Sequence, residues 1–212
     1  MVWQWGGGWL AAIGFSDFAG STLVHSTGGA AALAGIIILG PRFGRFDSKG
    51  NPKAIQPFAA SSIPLVTIGV FVLWLGWFGF NGGSQLALGS FADAVAISTI
   101  FINTNLAACG GVLAAAVITR LLFGKTDVVQ MLNGAIGGLV AITAEPLAPS
   151  PLAAILIGAM GGVIVVFGTK LLFSFKLDDV VGAIPAHMFA GIFGTLIVPM
   201  TNNDATFGAQ LI

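Results

Sequence analysis

The sequence contains only two histidines, His25 and His187, and they are its best candidates for chemistry. Each lies eight residues after an aspartate, Asp17 or Asp179, and each is followed four residues later by a glycine. A neutral imidazole donates a hydrogen bond through one nitrogen and accepts one through the other. Such a pair could replace the hydration of a small polar solute, or could pass a proton.

The rest of the sequence is strongly apolar. Of its 212 residues, 56% are hydrophobic and 8% are charged, and the mean hydropathy is +0.97. A soluble domain usually carries about 25% charged residues. Because so few charges cannot cover a water-facing surface, lipid is expected to be the main solvent of this chain. The net charge is zero, so nothing points to a nucleic-acid partner.

Six apolar segments are separated by charged residues, glycine and proline. They cover approximately residues 18–40, 59–83, 94–123, 129–147, 151–173 and 180–199. Most have the ~20 residues that a helix needs to cross a hydrocarbon core of ~30 Å. A membrane barrel would instead show alternating segments of ~10 residues. The sequence therefore predicts an all-α polytopic membrane protein with six transmembrane helices.

The basic residues predict the orientation of these helices. All eight lie in or beside alternate connections: Arg42, Arg45, Lys49, Lys53, Arg120, Lys125, Lys170 and Lys176. The connections and ends on the other side carry no Lys or Arg. The positive-inside rule then places the basic loops in the cytoplasm. We expect a multi-pass protein of the cell membrane, with both ends of this chain on the outer side.

With this topology, the two histidines approach the middle of the membrane from opposite faces. Asp17 lies near the outer end of the first segment and Asp179 near the inner end of the last one. Eight helical residues then advance ~12 Å towards the mid-plane. Functional groups at the centre of two inverted structural repeats have this arrangement.

Four interpretations of the histidines compete. They could be hydrogen-bonded packing residues, or they could ligate a haem between facing helices and carry electrons. A zinc or hydrolytic site lacks a third ligand, because Cys109 lies in an apolar stretch without metal-site spacing. The fourth interpretation is a pore for a proton or a small polar substrate. We favour the pore, because ionisable groups are costly at membrane depth and both histidines fall there.

Asp17 and the aromatic residues near it have structural interpretations as well as functional ones. Asp17 could cap a helix start, or it could attract a cation at an outer vestibule. Trp3 and Trp9 are interpreted as interfacial anchors, because tryptophan is common at the membrane surface.

Four motifs resemble those of the ammonium transporters (Amt/Mep/Rh), in the order in which that family carries them. Residues 17–25, D-F-A-G-S-T-L-V-H, resemble its D-F-A-G-x-x-V-x-H signature, and the W-G-G-G-W run at residues 5–9 precedes them. Residues 77–84, W-F-G-F-N-G-G-S, and residues 178–187, D-D-V-V-G-A-I-P-A-H, resemble the family's segments at its sixth and tenth helices.

The resemblance implies roles for several residues. His25 and His187 would be the twin histidines of a hydrophobic pore that accepts deprotonated ammonium. Phe80 would be one of two stacked rings that close this pore, with Trp77 packed behind it.

An outer recruitment site for ammonium is also implied. Trp5 would contribute cation–π attraction there and Ser84 an acceptor hydroxyl. Asp17 would be a buried aspartate that shapes this site indirectly. The substrate would be ammonium or ammonia, and neither an enzymatic activity nor a cofactor is expected.

The chain differs from the family in two respects. Family members usually have eleven helices, whereas residues 1–212 look like helices five to ten, without the first four and the last. We therefore expect a fragment of an ammonium transporter domain. It would be either a partial gene product or part of a longer reading frame whose start has been assigned at Met1. We expect residues 1–212 alone to carry no ammonium flux. Gly182 stands where some members have an acidic residue. The resemblance further implies a homotrimer with one pore per subunit and a cytoplasmic PII-type regulator.

Overall fold

The computed structural model describes residues 4–46 and 58–212, so Trp3, Lys49 and Lys53 lie outside the described residues. The regular elements are helices. They are α1 (Trp9–Ala12), α2 (Ser21–Leu39), α3 (Ile63–Gly83), α4 (Phe91–Phe123), α5 (Val128–Ile142), α6 (Pro151–Ser174), α7 (Ile184–Leu196), a 3₁₀ turn (Val198–Met200) and α8 (Phe207–Gln210).

Each of the six predicted segments overlaps one of these helices, but the helices differ in length. Helices α2, α3, α4 and α6 are long and apolar enough to cross a membrane. Helices α5 and α7 are apolar but shorter. The structure therefore identifies four spans by length and composition in the ranges it describes, and the count of six stays a prediction.

Helix α4 begins earlier than its hydropathy indicated. Its first residue is Phe91, whereas the apolar segment was predicted to begin at residue 94. The Ser90 side chain accepts from the backbone of Asp93, and the Asp93 carboxylate accepts from the backbone of Ser90. This reciprocal capping starts the helix before the apolar run. Asp93 thus lies in the first helical turn and not in the preceding connection.

Helix α5 ends earlier than predicted. It stops at Ile142, although the apolar segment was expected to run to residue 147. Pro146 lacks a backbone N–H and disfavours a helical conformation in the residue before it. The Asn103 side chain of α4 then binds the carbonyls of Pro146 and Pro149 in the following loop. The Asn103 side chain thereby holds the loop of Pro146 and Pro149, part of which hydropathy alone predicts to be helical.

Glycines bring α4, α5 and α6 into close contact. A Cβ at Gly158 would collide with the backbone of Ala107, and one at Gly161 with that of Gly137. Small residues allow membrane helices to approach in this way. These three helices form the packed side of the bundle, against which α3 and α7 lie.

Helices α2 and α7 cross in opposite directions. Gly29 of α2 lies against Met188 of α7, where a Cβ would fall 2.6 Å from the Met188 nitrogen. Gly191, further along α7, lies against the carbonyl of Ser21, at the beginning of α2. Since the contacts run in reverse order along the two chains, the helices are antiparallel, and the glycines four residues after each histidine form the crossing point.

Candidate functional site

The two histidines meet at this crossing. The Nδ1 atoms of His25 and His187 are 3.2 Å apart, and the ring centroids are 5.2 Å apart with 23° between the ring planes. The distance fits a hydrogen bond in which one Nδ1 donates and the other accepts. The sequence placed the two residues on helices of opposite direction, and the structure brings them into direct contact.

Both histidines lie in π-helical turns. The first six residues of α2, Ser21–Ser26, form one such turn, and the first six of α7, Ile184–Phe189, form the other. Each turn packs against the other turn and against the other helix. Single π turns within α-helices are rare and occur frequently at functional sites.

The first π turn begins on a buried carboxylate. Asp17 Oδ1 accepts from the backbone nitrogens of Gly20 (3.1 Å) and Ser21 (2.8 Å), and Oδ2 accepts from those of Thr22 (2.9 Å) and Leu23 (3.0 Å). These nitrogens have no partner inside a helix start. The geometry is that of the capping interpretation of Asp17.

The second π turn begins in the same way. Asp179 Oδ1 accepts from the nitrogens of Gly182 and Ala183 (3.0 Å each), and Oδ2 accepts from that of Ile184 (2.8 Å). Gly182 has a φ of +77°, and Gly20, equally spaced after Asp17, has a φ of +113°. Glycine adopts such angles without the steric penalty of a side chain. Gly182 therefore suits a backbone turn, and Asp179 supplies the carboxylate.

Two aromatic rings of α3 cover His25. Trp77 stacks on the imidazole at a centroid distance of 4.9 Å and an angle of 14°, and Phe80 tilts against it at 5.5 Å. Trp77 is buried, whereas Phe80 is 38% exposed. The structure thus places both predicted gate residues beside the histidine pair.

A buried polar chain holds Trp77 in place. Its Nε1 donates to Thr143 Oγ1 at 2.9 Å, and the Thr143 hydroxyl lies near Leu139 O (2.7 Å) and Asn81 Oδ1 (3.3 Å). Asn81 in turn donates to Thr104 at 3.0 Å. Neither Asn81 nor Thr143 is among the functional residues expected from the sequence. Asn81 stands inside the W-F-G-F-N motif and could have been found there, whereas Thr143 carries no sequence signal.

The residues assigned to an outer recruitment site are only partly brought together. The Trp5 indole donates to the backbone carbonyl of Asp17 at 3.1 Å. Ser84 donates to the carbonyl of Phe80 at 2.9 Å and makes no hydrogen bond to Trp5 within residues 4–46 and 58–212. Trp9, interpreted as an interfacial anchor, is 58% exposed.

A cavity of about 220 Å³ lies on one side of the histidine pair. It is lined by Val24, His25, Gly28, Gly29, Ala183 and His187. The lining combines two imidazoles with small or apolar groups, so a small uncharged polar solute would find hydrogen-bonding partners only at the histidines.

The geometry does not fit haem ligation. Two axial histidines must stand on opposite sides of an iron, with the porphyrin plane between them. Here the Nδ1 atoms are 3.2 Å apart, the two imidazole rings are in direct contact, and Trp77 also stacks on His25. Across the described part of the chain, no three His, Cys, Asp or Glu side chains are grouped so that they could hold a metal ion.

Several known proteins resemble the chain. A sequence model of the Ammonium Transporter Family matches residues 1–209. The chain is 45% identical over 215 residues to a putative ammonium transporter of Synechocystis sp., covering 99% of this chain and 48% of the relative. It is 46% identical over 204 residues to the ammonium transporter Amt2 of Archaeoglobus fulgidus, covering 92% and 42%.

The solved structures show the same relationship. A structure named Sensor Amt Protein superimposes with a TM-score of 0.90 at 34% identity, covering 99% of this chain and 54% of that one. Candida albicans Mep2 superimposes with a TM-score of 0.86 at 29% identity, covering 99% and 49%. The chain therefore spans about half the length of the proteins that it matches.

These likenesses confirm the predicted helical membrane fold, and a transporter family agrees with the expectation that the chain is not an enzyme. A match over residues 1–209 identifies the chain as a member of the ammonium transporter family.

Proposed function

We propose that the protein containing this chain carries ammonium or ammonia across the cell membrane. The observation that carries the proposal is the contact between His25 and His187 beside a cavity with otherwise apolar or small lining. Membership of the ammonium transporter family and the similarity to ammonium transporters such as Amt2 of Archaeoglobus fulgidus support the same substrate.

The selectivity of such a pore follows from hydration. Sodium and potassium ions need a cage of oxygen atoms to replace their water, and an apolar passage offers none. Ammonium can avoid this requirement by releasing a proton outside, crossing as ammonia past the imidazoles and being reprotonated inside. A neutral imidazole can both donate to ammonia and accept from it.

The remaining residues would serve entry to this passage. Trp5 and Ser84 would attract the cation at the outer vestibule, and Asp17 would hold the Trp5 region through its backbone carbonyl, which accepts the indole hydrogen bond. Phe80 would act as a gate ring above His25, with Trp77 fixed behind it.

The expected setting is a homotrimer in the cell membrane, with one pore per subunit and both ends of this stretch outside. The basic connections would face the cytoplasm, where a PII-type regulator would dock.

Transport by the full-length protein in liposomes tests the proposal. We would measure methylammonium uptake and ammonium-evoked current, with potassium as the competing cation. His25→Ala and His187→Ala should each reduce the rate or the selectivity against potassium. Ser98→Ala is the matched control, because in the part of the chain that the structure describes its hydroxyl donates only to Ala94 of its own helix. If both histidine variants matched the control, the proposed mechanism would be wrong.

A further inference from the structure

Asp178 is a buried carboxylate that the proposed pathway does not use. It is 5% exposed and accepts three hydrogen bonds from Arg42. The guanidinium donates through Nε at 2.7 Å and through Nη2 at 2.8 Å, and the backbone nitrogen of Arg42 donates at 3.1 Å. A bidentate guanidinium–carboxylate contact fixes the orientation of both side chains.

A second cation and two aromatic rings complete the cluster. Arg45 Nε lies 3.2 Å from Asp178 Oδ1. The guanidinium of Arg42 lies 4.7 Å from the centre of the Phe58 ring, and that of Arg45 lies 4.2 Å from the centre of the Phe173 ring. Both distances are within the range of cation–π attraction.

The position of this cluster connects the helices that carry the histidines. Arg42 lies three residues after the end of α2, the helix of His25. Asp178 directly precedes Asp179, whose carboxylate begins the π turn that contains His187. The ion pair therefore joins the C-terminal end of one histidine helix to the N-terminal end of the other.

Such a pair is better suited to fixing geometry than to adding stability. The Asp178 side chain is buried, whereas the Arg42 side chain is 40% exposed. Removing the carboxylate from water offsets much of its attraction to the guanidinium, so the net stabilisation from the ion pair is small. A functional contact must nevertheless be held within about 0.5 Å of its working geometry by neighbouring groups. The direct backbone link from Asp178 to Asp179 supplies such a constraint on the second π turn.

We infer that Arg42 and Asp178 are a positioning pair that sets the contact between His25 and His187 from the cytoplasmic end of the two helices. Its effect on transport rests on the proposed function, whereas its effect on the histidine contact does not.

The test uses the full-length protein with ¹⁵N-labelled histidine. The Nδ1 resonances of the pair are assigned with His25→Gln and His187→Gln, and they are then recorded in Arg42→Met, Asp178→Asn and the double variant. Arg120→Met is the matched control, because Arg120 donates only to the Gly124 carbonyl at the end of α4 among the described residues. Methylammonium uptake is measured on the same samples.

The expected result is a shift or splitting of both Nδ1 resonances in each single variant and none in the control. Uptake at saturating methylammonium should fall roughly tenfold, since small misplacements of reacting groups carry penalties of this order. The double variant should be no worse than the poorer single variant, because both changes break one contact.

Unchanged Nδ1 resonances in both single variants would overturn the positioning role, as would additive losses in the double variant. Wild-type protein that carries no methylammonium would instead overturn the proposed function, and the resonances alone would then decide the positioning role. A protein with shifted resonances and wild-type uptake would show that the pair does not position the histidines for transport.

Discussion

The Trp77 indole is held from two directions, because its Nε1 donates to Thr143 at 2.9 Å while its ring stacks on His25 at 4.9 Å. The threonine lies just beyond the end of α5 and the histidine near the beginning of α2. The Trp77 side chain of α3 therefore links the end of α5 to the histidine pair.

Thr143→Val should therefore destabilise the protein and impair transport. It leaves the Trp77 N–H buried without its acceptor, which costs about 1–3 kcal/mol. Thr67→Val is the control, because within residues 4–46 and 58–212 that hydroxyl donates only to Ile63 of its own helix. The free energy of unfolding in detergent and the methylammonium uptake are the measurements. Equal stability of the two variants would contradict the role of this hydrogen bond.

The crossing of α2 and α7 should not tolerate a methyl group at either glycine. Gly29→Ala and Gly191→Ala force a Cβ against backbone atoms of the opposite helix. Overpacking of this kind costs about 1–3 kcal/mol. Gly35→Ala, on the same helix but in open space, should be neutral or slightly stabilising. The measurement is the Tm of each of the three variants in detergent. Equal Tm values for Gly29→Ala, Gly191→Ala and Gly35→Ala would show that α2 and α7 separate easily to accept the methyl group.

Asp17→Asn should weaken the first π turn. An amide can accept through only one of the two positions that receive four backbone hydrogen bonds, and its NH₂ group would face two donors. We expect a loss of about 1–3 kcal/mol in unfolding free energy. The control is Asp127→Asn at the start of α5, where a single exposed bond to Gln130 should cost about 0.5 kcal/mol or less. A smaller loss at Asp17 than at Asp127 would argue against the capping role.

The Asp178 ion pair should make the thermal stability of the protein depend on pH in the acidic range. The hydrogen bonds from Arg42 hold the pKa of Asp178 below its ordinary value of 3.8. A depressed carboxyl pKa contributes stability that is complete above the unfolded pKa and is lost as the pH falls through the folded one. The Tm advantage of wild type over Asp178→Asn should thus be constant from about pH 6 to about pH 5 and shrink below about pH 4. An advantage that persisted unchanged at lower pH would contradict this assignment.

The sequence predicted the features that depend on hydropathy and spacing. The apolar runs located a helix in each of the six segments, and the opposed approach of the histidines followed from the placement of Lys and Arg. The equal spacing of His25 and His187 from an aspartate and a glycine also anticipated their matched surroundings.

The features that depend on contacts between distant residues were not predictable. Nothing in residues 21–26 distinguishes a π turn from an α turn, because the cause lies in the Asp17 hydrogen bonds and the packing of α7. Thr143 lies within the apolar segment 129–147, and nothing in that segment indicates that its hydroxyl accepts a hydrogen bond from Trp77. Arg42 and Asp178 lie 136 residues apart, and the positions of the basic residues along the sequence predict only the orientation of the helices in the membrane.

The direct contact between the two Nδ1 atoms breaks the symmetry of the pair. A hydrogen bond between the two Nδ1 atoms uses a single proton, so when both rings are neutral they must hold opposite tautomers. One Nε2 is then bare and the other carries hydrogen, so the two histidines differ in the free end of the imidazole ring. Exchanging these roles requires a proton to join one Nε2 as another leaves the second, so a proton transferred through the pair would leave the two tautomers interchanged.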